Sequence, residues 1–216
     1  MSQNETNLIE FLRKDVIDPY LIRVPETIHE SYIDCWDRLK GYPFKIRQNA
    51  YCLNIYNEIN SALYKMAGEF SGLKRDLPKN KSNAYPYALI RSKGIKLTAS
   101  RVGHPSAPRD AKFREEIQNA SSGFLFAEPI LTLNEEIYLQ LVHGWSESKT
   151  SCSKPDFIKL RYFAPSLGRA LYVDLYEYAG VSSLTLQKSI PKEIIAVTDN
   201  FQFREIDDKG IAQNEG

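Results

Sequence analysis

The hydrophobic period of this chain changes once, near residue 73, and that change limits the folds open to it. Before it, apolar residues recur at helical spacing; after it, they alternate. In "NETNLIEFLRKDVID", Leu8, Ile9, Leu12 and Val16 form one helical stripe, which Pro19 is expected to close. "PETIHESYIDCWDRLKG" repeats the pattern, with Pro25 near its start, a buried face of Ile28, Tyr32, Cys35, Trp36 and Leu39, and Gly41 at its end. From Ile46 to about Ala67 a third helix is expected, with Cys52, Ile55, Tyr56, Ile59, Leu63 and Met66 inward. Its other face, Asn49, Asn54, Asn57, Asn60 and Ser61, reads as solvated, although asparagine is a mediocre helix former.

Beyond residue 73 the segments are of strand length. "YALIR" and "IKLTAS" read as a hairpin whose turn places Gly94 at a positive φ. "GFLFAE", "EIYLQLVHG", "DFIKLRYFA" and "RALYVDLYEYA" follow, and "EIIAVT" adds a last strand. Short connections favour an antiparallel meander over helical crossovers. The expectation is an α+β fold: N-terminal helices, then a mostly antiparallel sheet of about five to seven strands with one short inserted helix. Residues 1–73 form the helical region, 74–200 the sheet region of the same domain, and 201–216 a polar tail.

With 216 residues, 43% of them hydrophobic, the chain can bury a core without disulfides or metal. Its three cysteines, Cys35, Cys52 and Cys152, are spaced neither as a disulfide framework nor as a zinc site. No window approaches the ~18 apolar residues of a membrane span, and no signal-peptide core is present, so a cytoplasmic protein without a membrane partner is expected.

Charge is where composition becomes informative. Residues 1–73 hold 8 basic and 10 acidic residues, 74–114 hold 11 and 2, and 115–216 hold 9 and 15. A formal net charge of +1 therefore conceals a strongly positive middle. Such a segment either neutralises the acidic C-terminal region or attracts a polyanion by counterion release.

Within "RVGHPSAPRDAKFREEIQNASSG", Pro108 is placed to open a helix that buries Phe113, Ile117 and Ala120. Arg109, Lys112 and Arg114 then crowd its first turns, where cations oppose the helix dipole by about 0.3–1 kcal/mol each. A phosphate bound there would reverse that sign, helped by Arg101, His104 and Ser106 before the helix and by Lys93 and Lys96 in the hairpin. The first reading is thus a nucleic-acid-interacting or phosphate-binding protein that needs no cofactor.

Two other readings remain open. His104, in a loop among cations, is a candidate general acid or base. A magnesium-dependent nuclease would draw on Asp156, Asp174 or Glu177, although alternation along a strand sends Asp174 and Glu177 to opposite faces and no metal motif is present. Alternatively, the basic segment docks an acidic protein or a second copy of the chain. The tyrosine row Tyr172, Tyr176 and Tyr178 is read as packing against a helix, and His29 and His143 as structural.

Overall fold

Ser2 starts the first helix with a reciprocal cap: its hydroxyl accepts the Glu5 N–H, and its own N–H donates to the Glu5 carboxylate at 2.7 Å. This belongs to a computed structural model that describes residues 2–79, 85–105, 112–119, 136–145, 154–164 and 169–180. Helix α1 spans Gln3–Lys14, α2 Asp18–Arg38 and α3 Phe44–Ala67. Pro19 opens α2 instead of merely closing α1, and Val16 lies exposed between them. Pro25 falls inside α2, not near its start. Its missing N–H leaves the Leu21 carbonyl without the usual helical donor, a penalty outweighed by the buried face of Tyr20, Leu21, Val24, Ile28 and Tyr32. Each of these larger side chains contributes about 1.5–3 kcal/mol.

Asn60 departs from the solvated stripe expected on α3. It is buried, donating to the Tyr56 carbonyl at 2.8 Å and accepting the Ala88 N–H at 2.8 Å. One side chain thereby joins α3 to the chain entering the sheet.

The sheet has six strands in sequential order: β1 (Lys74–Asp76), β2 (Leu89–Arg91), β3 (Ile95–Arg101), β4 (Ile137–Gly144), β5 (Phe157–Ala164) and β6 (Arg169–Asp174). The expected β2–β3 hairpin is present, but Gly94 is not among the positive-φ glycines. The fold is α+β and the sheet mostly antiparallel, with one exception. β3 and β4 run parallel in register from Ile95↔Ile137 to Arg101↔His143, so the connection is a crossover, not a meander turn. It carries α4 (Lys112–Asn119). "RALYVDLYEYA" is also not one strand: Asp174 caps a short helix, α5 (Leu175–Ala179), by accepting the Tyr176 N–H at 3.0 Å. Tyr176 and Tyr178 are consequently buried in the main core, not in a row along a sheet face.

Helices α1–α3 and α5 share one core with Ile95, Leu97 and Ala99 of β3, Leu139 and Leu141 of β4, Ile158 and Leu160 of β5, and Val173 of β6. Alternate residues face the other way, where Thr98 meets Tyr138 at 2.6 Å and Arg161 donates to Gln140 at 3.0 Å. Among the described residues no helix is long and apolar enough to cross a membrane. The expected strands "GFLFAE" and "EIIAVT", the polar tail and Cys152 lie outside the described residues.

Candidate functional site

The parallel strands β3 and β4 end side by side, and the Val102 N–H donates to the His143 carbonyl at 2.9 Å. Directly after them the backbones approach so closely that a Cβ on Gly144 would lie 2.0 Å from the Val102 carbonyl oxygen. Only glycine fits there. Alternation turns Arg101 and His143 toward the helices. The His143 ring, 2% exposed, meets the Tyr32 hydroxyl at 2.9 Å through Nδ1. Burial, then the charges of Arg101 and Arg114, lower its pKa from 6.5 to about 3. It is thus a neutral, pinned group in the field of two guanidinium ions.

Arg101 lies 5.1 Å from the ring of Trp145, the residue following Gly144. Its Nη1 is buried and has no hydrogen-bond partner, and no carboxylate among the described residues pairs with it. Arg114 is 7% exposed and donates to the Ala99 carbonyl at 3.4 Å. That carbonyl lies beyond the β2 pairing, which stops at Leu89↔Thr98. The adjacent Phe113 stacks on Tyr87 at 4.1 Å and holds α4 against this edge.

The remaining basic candidates are divided. Lys93 is exposed in the hairpin turn, and Lys96 pairs with Glu136 at 2.5 Å on the opposite face of β3 from Arg101. Those two β3 positions are roughly 17 Å apart at strand rise. His104 is exposed in the bend after β3, and Lys112 is exposed at the described start of α4. Ser106 and Arg109, like the expected helix start at Pro108, lie outside the described residues.

Among the acidic candidates, Asp156 precedes β5 and donates its backbone N–H to the Gly144 carbonyl at 2.7 Å. Asp174 caps α5 and lies 3.8 Å from Lys159. Burial, and then Asp174 and Asp156, raise the Tyr176 hydroxyl pKa, which puts both carboxylates near that ring. Glu177 is exposed on α5, so its relation to Asp174 is helical and not an alternation across a strand. Among the described residues no three His, Cys, Asp or Glu side chains gather as a metal site. His29 is buried, its pKa lowered to about 4 by burial and then Lys154.

Sequence reasoning missed the aromatic side of the site. Trp145 contacts Tyr32 and Tyr51 with ring centroids at 5.7 and 5.9 Å, and Tyr51 contacts Trp36 at 5.4 Å. The Arg47 guanidinium lies 3.7 Å above Trp36 and donates twice to that residue's carbonyl. Rings from α2, α3 and the end of β4 thus connect Arg101 to a second arginine. The chain matches no family model, no curated protein and no solved structure.

Proposed function

We propose that this protein binds a phosphate-bearing ligand, nucleic acid foremost, at the carboxyl ends of β3 and β4, with Arg101 as the principal contact and Arg114 fixing the positive field behind it. One observation carries the reading: Arg101 holds a buried Nη1 without an acceptor, against the Trp145 ring. A buried donor left unsatisfied costs about 1–3 kcal/mol. A phosphate oxygen would remove that penalty and form a charge-assisted bond. The crevice at the carboxyl ends of parallel strands is also where ligands of open α/β sheets commonly sit. Lys112 and His104, both exposed, would extend the contact outward.

The test is fluorescence anisotropy with labelled DNA and RNA oligonucleotides from about 50 to 200 mM salt, a range over which several phosphate contacts weaken binding by orders of magnitude. Arg101→Met, which keeps the bulk and removes the charge, is expected to weaken binding about tenfold or more. Absence of binding at low salt would remove this reading. Cleavage of the bound strand on adding Mg²⁺ would instead favour the nuclease.

A further inference from the structure

A second surface bears on what kind of nucleic acid would fit. Between Asp37 and Glu58 the chain has no acidic residue but four cations, Arg38, Lys40, Lys45 and Arg47, interleaved with Tyr42 and Phe44. In the N-terminal third as a whole this run is hidden by the acidic residues of α1 and early α2. The turn from α2 to α3 brings it to the surface: Tyr42 is 54% and Phe44 38% exposed. Phe44 leans on Trp36 at 6.3 Å, so the rings connect inward through Tyr51 to Trp145 and Arg101.

The charge at this turn is only partly balanced. Arg38 pairs with Glu58 at 2.5 Å and Lys40 with Asp37 at 2.9 Å, whereas the exposed Lys45 has no carboxylate partner among the described residues. The first turn of α3 also contains no acidic residue. Exposed rings beside an unneutralised lysine suit one polymer in particular. Bases of a duplex are already stacked on each other, while those of a single strand offer free π-faces above a charged backbone.

We infer that the α2–α3 turn docks an unpaired nucleic-acid strand, with bases stacking on Tyr42 and Phe44 and phosphates held by Lys45 and Arg47. This rests on the nucleic-acid reading above and narrows it to single strands continuing from the Arg101 end. The arginine side of the surface is preorganised, because Arg47 is fixed by the Trp36 ring and carbonyl before any ligand arrives.

The experiment compares a labelled single strand of about 12 nucleotides with a duplex of equal length, by anisotropy, on the full chain. The single strand is expected to bind about tenfold more tightly, and Tyr42→Ala with Phe44→Ala to lower its affinity by about 10- to 100-fold without changing the salt slope. Lys45→Ala is expected to reduce that slope by about 0.7. Tyr42→Ala alone, at an exposed turn, serves as the variant free of folding loss, confirmed by an unchanged melting curve. Equal affinity for duplex and single strand, with Tyr42→Ala and the double variant both binding as wild type, would overturn the inference. If binding stays sensitive to Arg101→Met in that case, the function proposed above stands without it; if no oligonucleotide binds at low salt, both fall.

Discussion

Two arginines, Arg13 and Arg101, are treated very differently by the fold. Arg13 of α1 donates to Asp18 at 3.0 Å and to the Tyr178 carbonyl, and its guanidinium stacks 3.9 Å above the Tyr178 ring. The Tyr178 hydroxyl completes the circuit by donating to Asp18. Arg101 has a ring beside it, a buried nitrogen without an acceptor and no carboxylate. Arg13 thus holds α1 to α2 and α5 with an anion, Asp18, supplied by the chain itself. At the ends of β3 and β4 the neighbour of Arg101 is instead a neutral histidine, which also feels the charge of Arg114 on α4. On the function proposed above, the contrast separates charge that stabilises the fold from charge offered to a ligand.

The strongest way to break the comparison is to destroy the strand ends themselves. Gly144→Ala places a methyl group 2.0 Å from the Val102 oxygen, a backbone atom that cannot swing away. The expected loss is about 3 kcal/mol or more, read as a lower urea midpoint. A matched substitution at Gly180, where a Cβ would meet nothing within 4 Å, costs only the strain of its left-handed φ of 67°, about 1 kcal/mol.

Acid should also act first at this end of the molecule. Folded His143 stays neutral down to about pH 3, whereas unfolded it takes a proton near pH 6.5. The unfolded state therefore binds more protons throughout that window, and stability falls as pH drops below about 6.5. His29, lowered to about 4, contributes with the same sign. Each imidazole costs about 1 kcal/mol per pH unit over the steep part of its window. Urea midpoints between pH 7 and 4 measure this, and His143→Gln should flatten the slope. An unchanged slope would mean that His143 is not held neutral by its two arginines and its burial.

Much of this architecture is legible in the sequence, because period reports burial. The stripes of α2 and α3, the β2–β3 hairpin and the strands β4 and β5 all follow from it. Two errors had local signals. Asp174 and Glu177 have the D-x-x-E spacing of a helix start, yet Leu171, Val173 and Leu175 continue the strand pattern straight through it. Similarly, Pro19 at the start of α2 is as good an opening signal as Pro25. The parallel β3–β4 pairing had no local signal, since register between distant strands is decided by the packing of the whole sheet. The site was legible only in part for the same reason. Excess positive charge marks the segment, but what separates Lys96 from Arg101 is tertiary: Glu136 neutralises the first, and Trp145 lies beside the second.

A smaller effect tests the structural half of the contrast. Arg13→Met removes one ion pair, one bond to a carbonyl and a ring contact at once, but the side chain is 42% exposed and the ion pair is screened. The expected loss is about 1–2 kcal/mol, and oligonucleotide affinity should not change. Thermal melts and anisotropy on the same preparation measure both.

Arg101→Met carries the smallest expected change in stability and sharpens the comparison most. Removing a guanidinium with a buried, unsatisfied nitrogen relieves desolvation and forfeits one contact with Trp145. These terms nearly cancel, so stability should shift by no more than about 0.5 kcal/mol, toward a gain if in either direction. His143 should titrate slightly higher, because one of the charges holding it down is gone. Nuclear magnetic resonance of the imidazole and urea melts check the two consequences together. A loss comparable to that of Arg13→Met would place Arg101 among the cations that hold the fold and remove the reason to seek its anion elsewhere.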